Sequence, residues 1–285
     1  MNMLGISISS WRNFTLINAV KNAVNLDFRA VEFGPVHTYT NHDVEKIKIL
    51  LGSKKVFIHA PIFKTDKRIV INIAAENKTT REITLQTIKN AIQVARRFDC
   101  HLISFHGGYN IRTHLVEKSP GIYKPEHCSE RISENKVIKN SADFVKKLLK
   151  IYKKTMFAIE NLNSTHGNLF NDAKNFKKFF NEISDKRVGI LLDTGHLNFY
   201  CRGLRDDQIK FVETFKNKIF EVHLNDNDGR DDLHLAPGMG NAPIEDIFEI
   251  LDANQLPIVL ELLNPSDNDV KNAQNFVKSK LHLNL

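Results

Sequence analysis

Eight short apolar runs alternate along this chain with stretches whose apolar residues recur every three to four positions, and that alternation limits the folds open to it. The runs fall at residues 3–8, 30–34, 55–60, 101–107, 156–161, 188–194, 219–224 and 258–263. Most are nearly unbroken in apolar character, the pattern of parallel strands buried on both faces. Between them, residues 83–98 (ITLQTIKNAIQVARRF), 144–152 and 244–251 carry the clearest helical spacing. Thr79 or Thr80 ahead of Arg81, and Asn241 with Pro243 just inside, supply the expected helix starts. Strict alternation implies a parallel sheet with right-handed crossovers, and eight such units close into a (β/α)8 barrel. No glycine-rich phosphate loop follows the first run, which argues against an open doubly wound sheet. The expectation is an α/β fold, one TIM barrel over residues 1–285, working at the carboxyl-terminal ends of its strands. Its one long connection, 109–134, is polar, contains Pro120, Pro125 and His127, and has the length of a lid or binding loop.

Composition narrows the setting. The chain is 42% hydrophobic and 26% charged, ordinary for a soluble globular protein with a sizeable core. Cys100, Cys128 and Cys201 are odd in number and lack CxxC spacing, so a reducing cytoplasm is expected rather than secretion. The segment MNMLGISISSWRNF lacks the regions of a signal peptide, and no apolar run approaches about 18 residues, so no membrane partner is expected. A net charge of +7 permits phosphate-bearing partners, nucleic acid included, without requiring them. The lysines of 146–154 (KKLLKIYKK) and 177–178 read as a solvated surface, and there is no arginine-rich arm.

The position of the ionisable residues points to chemistry. From the third run onward, nearly every strand ends in a group that binds metals: His59 in FIHAP, His106 in ISFHGG and Glu160 in FAIEN. Asp193 and His196 follow in LLDTGH, His223 in VHLND, and Glu261 in the last run. Beyond His223 come Asp232 and His234, closed by a Gly-Met-Gly turn. A lone histidine at a strand end is more often a satisfied polar residue, and a lone glutamate can pair with a lysine. Together, so many carboxylates at one barrel mouth would be unfavourable without compensating cations, and divalent zinc or manganese accepts such ligands. His37, His42, His101, His114 and His282 follow no such pattern and are expected at the surface or in loops.

The motifs HAP, FHGG, IEN, LLDTGH, VHLNDNDG..D.H..PG.G and VLEL, in this order, resemble the xylose-isomerase-like barrel superfamily. That group includes sugar (phosphate) isomerases and epimerases and the endonuclease IV type of apurinic/apyrimidinic endonuclease. The resemblance implies that Glu160, Asp193, His223 and Glu261 hold the isomerase-type metal. The endonuclease pattern implies nine ligands for three zinc ions, and all nine positions are occupied here. On that pattern His59, His106 and Glu160 hold one ion. Asp193, His223 and Glu261 hold a second with Glu160 bridging, and His196, Asp232 and His234 hold the third.

Two chemistries fit, with one to three divalent ions. As a sugar or sugar-phosphate isomerase or epimerase, the protein would use Glu160 and Glu261 to remove and return a proton through an enediolate held by the metal. Glu32 would hold a hydroxyl, and Arg230 or Lys64 a phosphate. As a phosphodiesterase acting on abasic DNA, it would use two or three ions to stabilise charge on phosphate. The chain departs from the endonuclease motif at Ile62, where an aromatic residue is expected. It departs again in GPVHTYTNHD, which lacks a basic aromatic loop, and at Asn227, Asp228 and Gly229, where a lysine is expected. These departures favour the isomerase branch. A non-catalytic metal-binding barrel is the third reading.

Overall fold

Eight parallel strands close on one another in the order β1, β10, β9, β8, β7, β4, β3, β2. They are β1 (Met3–Ser7), β2 (Ala30–Phe33), β3 (Lys55–Ala60), β4 (Leu102–His106), β7 (Met156–Glu160), β8 (Val188–Asp193), β9 (Ile219–Leu224) and β10 (Pro257–Leu260). The remaining pair, β5 (Ile111–Ser119) and β6 (Ile122–Arg131), forms a separate two-stranded antiparallel sheet. Most of the connection at 109–134, expected from its length to be a lid or binding loop, thus lies in two paired antiparallel strands. The computed structural model describes residues 3–37, 39–62, 71–119, 122–163, 167–252 and 256–281, with side chains other than those of 41 and 111–130.

Helices cover the outside of the barrel: α1 (Leu16–Asn25), α2 (Asn41–Leu51), α3 (Lys78–Arg97), α4 (Glu134–Ile151), α5 (Ala173–Glu182), α6 (Thr194–Tyr200), α7 (Arg205–Phe215), α8 (Ile244–Ile250) and α9 (Asp267–Lys280). On α3 the buried positions Thr84, Thr87, Ile88, Ala91, Ile92 and Ala95 form one stripe, which fixes the face turned to the sheet. Its cap is Asn77, whose side chain accepts from the Thr80 N–H at 3.1 Å, so Thr79 and Thr80 lie inside the first turn rather than at the cap. On α8 the cap position falls to Pro243, not Asn241. Thr40 with Asp43 and Ser266 with Asp269 form reciprocal capping boxes on α2 and α9.

The strands alternate, apart from a register shift near the start of β9, and this places the site. One parity, including Leu4, Ile6, Val31, Phe33, Ile58, Ile103, Phe105, Phe157, Ile159, Ile190 and Leu192, joins the large core shared with the helices. The other parity turns into the barrel, where Ala30, Phe57 and Val259 make a small separate cluster. Two residues further along those same strands stand Glu32, His59 and Glu261. Burial of each large aliphatic or aromatic side chain contributes about 1.5–3 kcal/mol, so the outward parity can hold the polar inward one in place. No helix of the described residues is long and apolar enough to cross a membrane.

Candidate metal centre

Strand register brings the chemistry-bearing residues together. His106 is the register partner of Glu160 between β4 and β7, and Asp193 is that of His223 between β8 and β9. Glu261 follows directly on β10, one residue beyond its last paired position, rather than lying within the strand. All nine sequence candidates fall into three groups: His59 with His106 and Glu160; Glu160 with Asp193, His223 and Glu261; and His196 with Asp232 and His234. In each group one ligand atom per residue lies within 4.8 Å of the others.

Glu160 is the hub. Its Oε2 lies 3.0 Å from His59 Nε2 and 3.1 Å from His106 Nε2, while Oε1 lies 3.1 Å from His196 Nδ1. His223 Nδ1 stands 3.1 Å from Glu261 Oε2 and 3.9 Å from Asp193 Oδ2. The Asp232 oxygens stand 3.3 Å from His196 Nε2 and 3.5 Å from His234 Nε2. Despite these approaches, Glu160 Oε2, His59 Nε2, His223 Nδ1 and Asp232 Oδ1 are buried with no hydrogen-bond partner among the described residues. Lone pairs that converge without bonding one another, and that would be costly to bury unsatisfied, fit cations placed between them. The donor set, imidazole nitrogen and carboxylate oxygen, suits zinc or manganese.

The opposite edge of most of these imidazoles is tied down, which selects the nitrogen left for a ligand. His106 Nδ1 lies 2.8 Å from the Tyr109 hydroxyl, and His234 Nδ1 lies 3.1 Å from the Glu261 carbonyl oxygen. His196 Nδ1 lies 3.1 Å from the Asn161 carbonyl oxygen, and His223 Nε2 lies 2.7 Å from Glu32 Oε2. Asp193 both ends β8 and caps α6: its Oδ1 accepts the His196 N–H at 2.7 Å, and its Oδ2 accepts from the Asn225 amide at 2.9 Å. The Asn161 side chain brackets the Asp193 backbone, accepting its N–H at 2.7 Å and donating to its carbonyl at 3.0 Å. Gly195 is required at the next turn, because a methyl there would run into the Asn225 amide oxygen.

These contacts set the charges. Burial alone would raise the Glu160 carboxyl, but His106 and His196 hold it well below the usual carboxylate range. Burial lowers His234, yet Asp232, Glu261 and Asp193 carry it up to about 9. His106 is likewise pulled down by burial, and Tyr109 and Glu160 push it up to about 10. His59 goes the other way, since burial outweighs Glu32 and Glu160 and lowers it.

The three substrate contacts expected from sequence fare differently. Glu32 is fully buried beneath His223 rather than on the wall of the cleft, so it orients that imidazole instead of meeting a hydroxyl. Arg230 is exposed and outside the lining of the cleft, because its loop turns outward after Asp228. Lys64 lies outside the described residues. The cleft itself has a volume of about 270 Å³, and Arg12 is the one lysine or arginine on its wall among the described residues. Tyr109, Asn163 and Asn168 line it too, and Asn163 donates to Asp232 Oδ2 at 2.8 Å. A larger groove of about 390 Å³ between α3 and α4 holds none of the candidate ligands. Sequence reasoning also missed Glu221, fully buried two positions before His223, whose carboxyl burial pushes up to about 8, with Glu32 adding to the rise. The period of two was the available signal. His37 does lie in a loop, as expected, but is buried.

A closed parallel barrel with its imidazoles and carboxylates gathered at the carboxyl-terminal mouth defines the class of (β/α)8 barrels that work from that end. Residues 20–280 match the family described as xylose isomerase-like TIM barrel, and the chain belongs to that family. The chain is 24% identical over 255 residues to a probable endonuclease 4 of Campylobacter hominis, covering 84% of this chain and 83% of that protein. Among solved structures it resembles a D-tagatose 3-epimerase-like protein, with TM-score 0.77 and 21% identity over 99% of this chain and 97% of that one. It also resembles the IOLI protein with a bound zinc atom, with TM-score 0.74 and 13% identity over 99% and 98% of the two chains. At these identities the solved structures speak for the fold.

Proposed function

We propose that this protein is a metal-dependent enzyme that hydrolyses phosphoesters with up to three divalent ions, zinc or manganese, at its mouth. The observation that carries this reading is the setting of Glu160, whose two oxygens face three histidines from three different parts of the barrel. A carboxylate so enclosed suits a bridge between ions, and is poorly free to shuttle a proton at carbon. Ions held there would supply Lewis-acid stabilisation of charge on a phosphoryl group and activation of water. The chain's own part would be to fix them: Glu160 would be a ligand common to two of the groups, while Tyr109, Asn161 and Glu32 orient three imidazoles and Asn163 donates to Asp232. The relationship to a probable endonuclease 4 agrees with this chemistry, and abasic DNA is the first substrate to test.

A second reading, the sugar or sugar-phosphate epimerase expected from sequence, is favoured by one observation. Glu160, Asp193, His223 and Glu261 form a complete four-ligand set that needs no third ion. Metal content of reconstituted protein, measured with incision of an abasic duplex and with deuterium uptake into ketoses, separates the two. About three ions per chain with incision is the expected result. A single ion, with solvent deuterium entering a ketose C–H bond, would overturn it.

Arg12 is the cation placed to meet a phosphate, its loop held by its backbone N–H donating to Asn264 Oδ1 at 3.1 Å. A charged hydrogen bond of this kind is worth about 1.5–3 kcal/mol, so Arg12→Ala is expected to raise KM for a phosphoester roughly tenfold or more. Steady-state kinetics should show kcat nearly unchanged, since the contact is uniform through the reaction.

A further inference from the structure

The Asn225–Asp228 segment (NDND) of the β9 loop contains a carboxylate that no metal group uses. Asp226 is almost fully buried, and its two oxygens accept four backbone N–H groups. Oδ1 takes Asn227 at 2.9 Å and Ala242 at 3.0 Å, while Oδ2 takes Gly238 and Gly240, each at 3.0 Å. The Asp226 backbone adds a two-way bridge to Leu235, at 3.0 and 2.8 Å. One side chain therefore closes the whole 226–242 loop upon itself, and Asp232 and His234 are carried on the arc between its attachment points. Neither residue belongs to a strand or helix that could place it otherwise. His234 sits at a positive φ of 47°, a conformation uncommon for residues other than glycine.

We infer that Asp226 is the positioning residue of the third ligand group: its carboxylate clamps the loop that presents Asp232 and His234 to His196. Both terminal atoms of this side chain accept two N–H groups each, which only a carboxylate can do, because the NH2 of an asparagine at either place would confront donors with donors. Gly240 belongs to the same device, since a methyl there would run into Asp226 Oδ1 and the Asn227 carbonyl.

Hydrogen–deuterium exchange of the full chain reads the clamp directly. In Asp226→Asn, amides of 227–242 are expected to exchange at least about tenfold faster, with the barrel strands unchanged. Zinc content, measured alongside, is expected to fall by one ion per chain relative to wild type. That second arm rests on the three-ion reading: wild type holding fewer than three ions would sink that reading, while the exchange arm still decides the clamp. Asp231→Ala, which removes an exposed carboxylate of the same loop, is expected to keep wild-type zinc content. Should Asp226→Asn fail to fold, Gly240→Ala is expected to show the same confined loss of protection in milder form. Wild-type protection of 227–242 in the folded variant would overturn the inference.

Discussion

Glu160→Gln is expected to strip ions from two of the three ligand groups at once and to abolish turnover. The carboxylate belongs both to the set with His59 and His106 and to the set with Asp193, His223 and Glu261. Removing one partner from a buried charge cluster costs about 3–5 kcal/mol, which is roughly two to four powers of ten in affinity for a divalent ion. An amide keeps the shape, so the loss reads charge rather than packing. His196, Asp232 and His234 do not depend on Glu160 for a ligand atom, and one residual ion is the expected content. Competition with a chelator of known affinity measures each step. A variant that retains the wild-type ion count would remove Glu160 from the centre of the site.

Stripping the metal is expected to reverse the way stability depends on pH. In the metal-free protein, burial lowers His234 and His106, but their acidic and hydroxyl neighbours raise them to about 9 and about 10. Groups raised in the folded state contribute stability that is complete below the unfolded histidine value, ~6.5, and is lost as pH climbs through ~9. His234, mostly shielded from solvent, carries most of this, while His106 is 45% exposed and its share is screened. Asp232 and Glu261 act in the opposite direction: each is held low by neighbouring histidines against the pull of burial. Their contribution is present above the unfolded value, ~4, and disappears in strong acid. The chelated protein should therefore melt at falling temperature from pH 6.5 to 9.5.

With ions bound, the same imidazoles must be neutral, so binding strengthens as protons leave and the melting temperature should rise over that window. At a thousandfold excess over Kd the ion contributes ~4 kcal/mol, and at about 2–4 °C per kcal/mol the two curves should stand roughly 10 °C apart at pH 9. Thermal melts with chelator and with zinc, at pH 6.5 and 9.5, make the comparison. A chelated protein whose melting temperature is flat or rising would contradict the charge assignment.

How much of this was legible in the sequence depends on the range of the forces involved. The ends of β3, β4, β7, β8 and β9 were readable because apolar periodicity stops where the strand meets polar surroundings, and a barrel gathers such ends in one place. The nine candidate ligands were readable for that reason, although Asp232 and His234 lie in a loop. Their D-x-H spacing was visible, but the Asp226 clamp that gives it meaning joins residues up to sixteen positions apart. Glu221 escaped notice inside an apolar run, and Arg12 because nothing local marks the loop after β1 as a wall of the cleft. Arg230 and Glu32 were misplaced for the converse reason. One sits on a loop whose outward turn is set by Asp228, and the other on a strand whose stagger sinks it below the mouth.

The barrel, the mouth at which the ionisable groups gather and the kind of atoms there were legible from sequence, because strand and helix periods and side-chain chemistry are local properties. Closure of the barrel sets which nitrogen His106, His196, His223 and His234 turn inward, that Glu160 lies among three histidines, and that Asp226 accepts four N–H groups of the loop carrying Asp232 and His234. Those are outcomes of strand register and of hydrogen bonds closed between distant parts of the chain. A one-dimensional pattern does not contain them until the barrel has closed.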